Sequence, residues 1–336
     1  MNSAVPDDAL AAIREAAGPD DLVGTVQTAL AALPAERTEA AEAACWWSAL
    51  VIETVAAAVR LIGPPAGTTW QWHITGSCGR GEGLPGADVE TLIEYSGGGA
   101  RGRDVQGAAA RVHELLERAG LPPDGNGAIA SRARCCRTAA GWTTAVEGWA
   151  ADPAVDRGVV MAGLTLDSRP VESGSAGDFD IAAQMLAAAG RHVELRRAMA
   201  QDAAAVREAV PARLAVLTRR GDVVDVKRSI LDPIARMARL KAVLGGSAER
   251  STLGRLAVDD DVLPEIDWAA LGRAYAAATG LRWALRRSGW PDGSRSVEVI
   301  PLREFAPHDR ALLRSAGREV LGAQRVLRYV GPTEIR

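Results

Sequence analysis

The fold of this chain is decided by one stretch of its sequence, TTWQWHITGSCGRGEGLPGADVETLIEY, which spans residues 68–95. Residues 68–75 are rich in β-branched and aromatic types, and residues 88–95 have the same character, so each segment predicts a β-strand. Residues 76–86 between them are rich in glycine and predict a long turn. The stretch therefore predicts two neighbouring strands with a glycine-rich connection.

Two pairs of residues in this stretch are candidates for chemistry. Gly76 and Ser77 follow the first predicted strand, while Asp88 and Glu90 occupy alternate positions at the start of the second. Alternate residues of a strand project from one face, and two adjacent carboxylates bind Mg²⁺ well together with phosphate oxygens. Gly76 allows close approach to the backbone, and Ser77 offers a hydroxyl. The pattern indicates phosphoryl or nucleotidyl transfer; the alternative is a solvated hairpin with two surface acids.

Helical patterns surround this stretch. Residues 7–62 read as alanine-rich helices, residues 105–119 as an amphipathic helix and residues 142–150 as a short helix, whereas the apolar run 159–166 predicts a buried strand that ends at Asp167. Beyond residue 175 the sequence predicts an extended segment at 222–227 and five helices, at residues 178–199, 201–217, 230–244, 264–287 and 307–327.

These elements together predict an α+β fold. We expect an N-terminal helical segment over residues 1–62, a small α/β catalytic domain over residues 63–175 and a helical bundle over residues 176–336.

Composition restricts the setting and the partners. The net charge of −3 over 336 residues provides no broad basic surface, which disfavours a nucleic-acid substrate. Four cysteines without a C-x-x-C pair suit a reducing cytoplasm. The first residues have no signal-peptide pattern, and no stretch approaches 18 uninterrupted apolar residues, so we expect neither export nor a membrane span.

The spacing from Gly-Ser to Asp-x-Glu resembles the signature of the polymerase-β-like nucleotidyltransferase superfamily. The longer pattern, Pro64-Pro65 with residues 76–82 and 88–90, is similar to the signal-transduction nucleotidyltransferases. That family is often joined to cystathionine-β-synthase-type regulatory domains and is related to the uridylyltransferase that modifies the nitrogen-regulatory PII protein. The resemblance continues through Trp142, Trp149 and residues 167–171, and then through motifs similar to the family's substrate-binding domain at residues 224–228, 233–236, 252–256, 281–282 and 324.

The resemblance implies a catalytic arrangement. Asp88 and Glu90 would hold two Mg²⁺ ions that bridge the triphosphate of an NTP, ATP or UTP first, and Ser77 with Gly76 would bind its terminal phosphates. Asp167 is the candidate third carboxylate, as metal ligand and as the base that activates the acceptor. Glu172 and Glu147 are the other candidates for that third acid.

Two basic residues are predicted to act at the site, and two positions of the site differ from the family pattern. Arg80 and Lys227 are candidates to neutralise phosphate charge. A structural alternative exists for Lys227, an ion pair with Asp225, and also for Asp167, either a helix N-cap or an ion pair with Arg169. Cys78 stands where the family usually has Glu, and Glu90 stands where it usually has Asp. We also expect no regulatory domain before the catalytic unit.

The predicted reaction moves a nucleoside monophosphate from an NTP to a protein or small-molecule acceptor, with release of pyrophosphate. One alternative is a non-catalytic nucleotide sensor or partner-binding protein that keeps the fold. A second alternative is an enzyme that nucleotidylates an antibiotic or metabolite. The sequence identifies neither the base of the NTP nor the acceptor, and it leaves the oligomeric state open.

Overall fold

The computed structural model describes residues 7–97, 102–171, 179–211, 222–258, 263–288, 290 and 299–335. These residues form two compact units. The first unit takes the described residues of Met1–Glu147 and Leu164–Met185, with Trp290; the second takes those of Gly148–Gly163, Leu186–Gly289 and Ser294–Arg336. The fold is α+β with a helical C-terminal region, which confirms the predicted class. The domain limits at residues 62 and 175 stay predictions.

Three helices precede the sheet, as the sequence predicted: α1 (Asp7–Glu15), α2 (Pro19–Ala32) and α3 (Ala40–Ile62). Pro19 occupies the first turn of α2, where its missing N–H costs no hydrogen bond. Gly63 follows α3 with a φ of 69°, a conformation that ends the helix. Among the described helices, α3 alone is long and apolar enough to cross a membrane, but 56% of its most apolar window is buried in the fold, as in the core helix of a soluble protein.

The first unit contains a mixed four-stranded sheet. Its strands are β1 (Thr68–Ile74), β2 (Thr91–Gly97), β3 (Cys136–Thr138) and β4 (Arg169–Pro170), in the order β3-β2-β1-β4. Strand β1 is antiparallel to both β2 and β4, whereas β2 and β3 are parallel. The sequence did not predict β3, because three residues are too few to show a period of two.

Five helices accompany the strands: α4 (Gly76–Gly79), α5 (Gly102–Arg118), α6 (Ala139–Ala151), α7 (Gly158–Leu166) and α8 (Ile181–Arg191). Helix α5 packs on the sheet face that carries Trp72, whose ring lies 5.9 Å from the ring of His113. Thr91 of β2 lies on the same face, and its Oγ1 is 3.0 Å from Nε2 of His113. The face of α5 toward the sheet is therefore fixed by an aromatic contact and a buried polar contact.

Two strand predictions need correction. Residues 159–166 form the helix α7 rather than a strand, because a short apolar run that is buried on most sides has no period that separates the two structures. The strand in this region is β4, which begins at Arg169, three residues after the end of α7, and pairs with the end of β1. Strand β2 begins at Thr91 instead of Asp88; Val89 makes only an isolated parallel bridge with Pro123.

In its described residues, the second unit is helical apart from one two-stranded sheet, its turns and its loops. Strands β5 (Val223–Asp225) and β6 (Val299–Pro301) pair antiparallel. Its helices are α9 (Val193–Ala204), α10 (Asp232–Leu244), α11 (Thr252–Leu256), α12 (Trp268–Arg287) and α13 (Pro307–Glu334). The predicted helix at 178–199 is wrong, because His192 is extended and separates α8 from α9. Of the predicted helix at 201–217, residues 205–211 are not helical and the rest lies outside the described residues.

Candidate active site

Strand pairing places the Gly-Ser turn beside the predicted acidic pair. Strand β1 ends at Ile74, and the next amide, that of Thr75, donates a hydrogen bond to the carbonyl of Glu90 at 3.0 Å. Glu90 lies one residue before β2, so this bond extends the antiparallel pairing of β1 and β2 by one residue pair. Gly76 and Ser77 then begin α4. The register of two adjacent strands therefore brings Glu90 next to the turn.

The carboxylate of Glu90 lies directly against the backbone of Gly76. A Cβ placed on Gly76 would be 1.4 Å from Oε2 of Glu90, and Gly76 has a φ of +60°. Any other residue at this position would collide with the carboxylate and would also adopt a left-handed conformation that costs L-residues energy. Glycine at position 76 therefore leaves the space that the Glu90 carboxylate occupies and suits the left-handed backbone of the turn.

The two predicted metal-binding acids lie on either side of a buried residue. Val89 is fully buried between them, whereas Asp88 is exposed and Glu90 is half-buried. Ser77 is also half-buried. The alternation that the sequence predicted for a strand therefore persists in this extended segment before β2. Ser77, Asp88 and Glu90 therefore all have solvent-exposed surface.

Asp167 reaches the turn from the other side of β1. Arg169 pairs with Ile74, so β4 runs beside the end of β1. A Cβ placed on Gly79 would be 2.3 Å from the carbonyl oxygen of Asp167, which shows how closely the backbone after α7 packs against α4. Gly79 is therefore needed for a close approach of two backbones, a role that sequence reasoning missed.

The side chain of Asp167 is buried in an ion pair. Its Oδ2 accepts a hydrogen bond from Nη1 of Arg80 at 2.5 Å, and Nε of Arg80 donates to Oε2 of Glu82 at 2.8 Å. The side chains of Arg80, Glu82 and Asp167 are 9%, 14% and 1% exposed. Arg80, rather than Arg169, is thus the partner of Asp167. This cluster connects the segment after α7 to the segment after α4.

The predicted roles of Asp167 and Arg80 stay predictions. The structure brings Asp167 to the Gly-Ser turn, but one oxygen of its carboxylate is engaged by Arg80. Within the described ranges, no group of three or more His, Cys, Asp and Glu side chains is arranged to hold a metal ion. The acids nearest to the turn therefore do not form a closed three-acid centre in this structure.

Cys78 occupies a buried position beside Glu90. Its side chain is 1% exposed, and burial, followed by the negative charge of Glu90, raises the pKa of the thiol to about 12. A Cβ on Gly83 would be 2.5 Å from Sγ of Cys78, so the glycine provides the space that the thiol fills. At neutral pH the residue after Ser77 is therefore a neutral, packed thiol.

Three candidates remain, namely Lys227, Glu147 and Glu172. Lys227 is exposed in a π-helical turn, Lys227–Leu231, of the second unit. Its expected structural partner, Asp225, instead accepts a hydrogen bond from the amide of Arg228 at 3.0 Å and lies 3.6 Å from Nε of that residue. Glu147 is half-buried in α6, and Glu172 lies outside the described residues.

Sequence reasoning found the glycines of the turn but not their neighbours. Gly79 and Gly83 are visible in the sequence as part of a glycine-rich segment, and Glu82 as an acid within it. Gly79 and Gly83 approach residues that are 88 and 35 positions away along the chain, Asp167 and Ser48, and the contact of Glu82 depends on side-chain direction; no local pattern reports either. A glycine-rich segment signals close approach without naming the partner.

Two family models match the chain. Residues 24–156 match the model described as "Putative nucleotidyltransferase DUF294", and residues 194–330 match the model described as "Putative nucleotidyltransferase substrate binding domain". The first range includes Gly76, Ser77, Asp88 and Glu90, whereas Asp167 lies between the two ranges. No curated protein matches the chain.

Proposed function

Because the chain belongs to the DUF294 family of putative nucleotidyltransferases, we propose that it transfers a nucleoside monophosphate from an NTP to a protein or small-molecule acceptor. An acceptor oxygen forms a bond to the α-phosphorus, the bond from that phosphorus to the bridging oxygen breaks, and pyrophosphate leaves. The observation that carries this proposal is the contact between the Glu90 carboxylate and Gly76, beside Ser77. This contact supports the proposal that the Gly-Ser turn and the acidic pair act together on one triphosphate.

The residues at the turn fit Mg²⁺. Asp88 and Glu90 offer carboxylate oxygens on one solvent-facing side, and Mg²⁺ prefers one or two carboxylates, with waters and substrate phosphates in its other positions. Mg²⁺ bound there would neutralise charge on the phosphates of the NTP, and two ions are expected. Asp88 and Glu90 hold the site, while the hydroxyl of Ser77 donates to a terminal phosphate.

The Arg80 cluster supports a positioning role in this reaction. Arg80 joins Glu82, which follows α4, to Asp167, which follows α7, and all three side chains are largely buried. A rigid turn keeps Ser77 and Glu90 in a fixed relation, and correct placement of reacting groups is a large part of phosphoryl-transfer catalysis. Asp167 remains the candidate base; in that role its carboxylate has to exchange Arg80 for the acceptor hydroxyl.

A second candidate function is nucleotide binding without turnover, in a sensor or partner-binding protein. The pairing of Asp167 with Arg80 favours it, since this pairing leaves two acids at the turn rather than three. For either function the proposed setting is a reducing cytoplasm and a role in signal transduction, with ATP or UTP as the nucleotide and no nucleic-acid partner.

Calorimetric titration of each NTP, with and without Mg²⁺, tests nucleotide binding. Wild-type protein is expected to bind an NTP only with Mg²⁺, and Asp88→Asn and Glu90→Gln are each expected to weaken binding roughly tenfold or more. The control Glu114→Gln removes an exposed acid from α5 and is expected to bind as wild type does. Binding that ignores Mg²⁺ or survives both substitutions contradicts the proposal.

Pyrophosphate release separates the two functions. Wild-type protein with Mg²⁺, the NTP that binds and a panel of protein and small-molecule acceptors is expected to release pyrophosphate with at least one acceptor. Tight Mg²⁺-dependent binding with no release over the whole panel selects the non-catalytic sensor instead. Release with an antibiotic or metabolite alone identifies a small-molecule-modifying enzyme.

A further inference from the structure

The helical unit contains a cavity of about 510 Å³ between α9 and α13. The α9 residues that line it recur at helical spacing, so one face of that helix forms one wall. The apolar surface comes from small or aliphatic side chains, and the polar surface comes from two arginines and a glutamine. The described lining residues are Ala200, Ala204, Ala205 and Leu327, with Arg197, Gln201 and Arg328.

The two arginines give this cavity a positive charge. Nε of Arg197 donates to the carbonyl of Ile335 at 3.2 Å, and Nε of Arg328 donates to the carbonyl of Gln324 at 3.4 Å. Within the part of the chain that the structure describes, neither guanidinium forms an ion pair, and no acid lines the cavity. Two positive charges therefore lie at one concave surface, and the hydrogen bonds seen among the described residues use only the Nε of each guanidinium.

The wall of the cavity is held by a buried amide. Gln324 of α13 is 1% exposed, and its Nε2 donates to the carbonyls of Ala203 at 3.4 Å and Ala205 at 3.0 Å. These bonds satisfy carbonyls at the C-terminal end of α9, which have no partner within the helix. They also connect the two helices beside the cavity. The cavity is therefore part of the folded unit and does not require a ligand to form.

We propose that this cavity binds a small molecule with one acidic group and an apolar body. The planar forks of Arg197 and Arg328 suit a carboxylate, sulfonate or phosphate, which can accept two hydrogen bonds from one guanidinium. Ala200, Ala204 and Leu327 would contact the apolar part. The volume lies within the range of about 300–1,000 Å³ that is usual for small-molecule sites. The proposal does not depend on nucleotidyl transfer.

A matched pair of fluorescent probes tests the charge requirement in the full chain. The first probe, 1-anilinonaphthalene-8-sulfonate, has an apolar body with one sulfonate; the second, N-phenyl-1-naphthylamine, has the same body without it. Wild-type protein is expected to bind the sulfonate probe at one saturable site, about tenfold more tightly than the neutral probe. Equal affinity for the two probes, or binding of the anion without saturation, overturns the proposal.

Substitution of the arginines locates the site. Arg197→Gln and Arg328→Gln remove the charge and keep the first two aliphatic carbons and a polar end, and each is expected to weaken sulfonate binding about tenfold while neutral-probe binding stays unchanged. Arg325→Gln is the control, because Arg325 is an exposed arginine of α13 outside the cavity. Near-ultraviolet circular dichroism verifies the fold of each variant. Wild-type affinity in both cavity variants, or an equal loss in the control, contradicts the assignment.

Discussion

Replacement of Gly76 by alanine tests the relation between the turn and Glu90. The alanine Cβ would lie 1.4 Å from Oε2 of Glu90, so this oxygen has to move by about 2 Å to reach an ordinary contact distance. Glu90 is half-buried and its carboxylate is the end of a flexible side chain, so it can move without unfolding the protein. We therefore expect Gly76→Ala to impair nucleotide binding and transfer more than stability.

Two effects contribute to the expected magnitude. Alanine at the φ of +60° costs about 1–2 kcal/mol of stability. Displacement of Glu90 weakens Mg²⁺-dependent NTP binding roughly tenfold, and misplacement of a group by more than about 1 Å reduces the rate of transfer on the order of 100-fold.

The control for backbone strain is Gly63→Ala. Gly63 has a φ of +69°, but a Cβ placed there meets no atom within 4 Å. Its ψ of 159° lies in a region that is essentially restricted to glycine, so this substitution is expected to lower the free energy of unfolding by at least as much and to leave NTP binding unchanged. Urea denaturation measures stability, and calorimetry with Mg²⁺ and the NTP measures binding.

A double-mutant cycle with Glu90→Ala isolates the collision. In the Glu90→Ala protein the obstructing carboxylate is absent, so Gly76→Ala is expected to add only the strain cost and no further loss of NTP binding. If Gly76→Ala weakens binding as strongly in that background as in wild type, Glu90 does not transmit its effect. Equal binding losses for Gly76→Ala and Gly63→Ala would refute the reasoning as well.

Three further predictions concern buried groups. Asp167→Asn removes the ion pair of Arg80 with Asp167, which is shorter than the one with Glu82, and leaves the guanidinium buried. We expect urea denaturation to show a loss of about 3 kcal/mol of unfolding free energy. Burial lowers the pKa of His113 from 6.5 to about 4. Between pH 4 and 6.5 the unfolded state therefore binds more protons than the folded state, and we expect the free energy of unfolding to fall by about 3 kcal/mol as the pH drops from 6.5 to 4. Of the four cysteines, only Cys45 is exposed, whereas burial raises the pKa of the other three thiols to about 11 or 12. A disulfide reagent such as dithionitrobenzoate is therefore expected to modify one thiol per chain rapidly.

Each of these predictions has a matched control. Asp20→Asn removes one partner of the exposed pair with Arg118 and is expected to leave stability unchanged within error; an equal loss contradicts the buried-pair argument. The His113→Gln variant is expected to lack the fall in unfolding free energy that His113 causes between pH 6.5 and 4. If the variant's stability depends on pH as strongly as that of wild type, the prediction for His113 is contradicted. Cys45→Ser is expected to abolish the rapid reaction, so rapid modification of that variant contradicts the prediction.

The sequence alone determined the elements whose patterns are local. The β-branched and aromatic run at residues 68–75 predicted β1, and the alternation of Asp88, Val89 and Glu90 predicted two acids on one side with a buried residue between them. The Gly-Ser turn and the helical character of both flanks could also be predicted. Side-chain spacing and backbone preference act over a few residues, so these features are legible without the fold.

Only the tertiary structure decided which of these residues meet. The contact of Glu90 with Gly76 depends on the register of β1 against β2, and the pairing of Asp167 with Arg80 joins positions that are 87 residues apart. The same holds for the helical state of residues 158–166, since an apolar run suits either structure and its packing surroundings select one. Burial and register arise from contacts between distant segments, which the order of residues does not display.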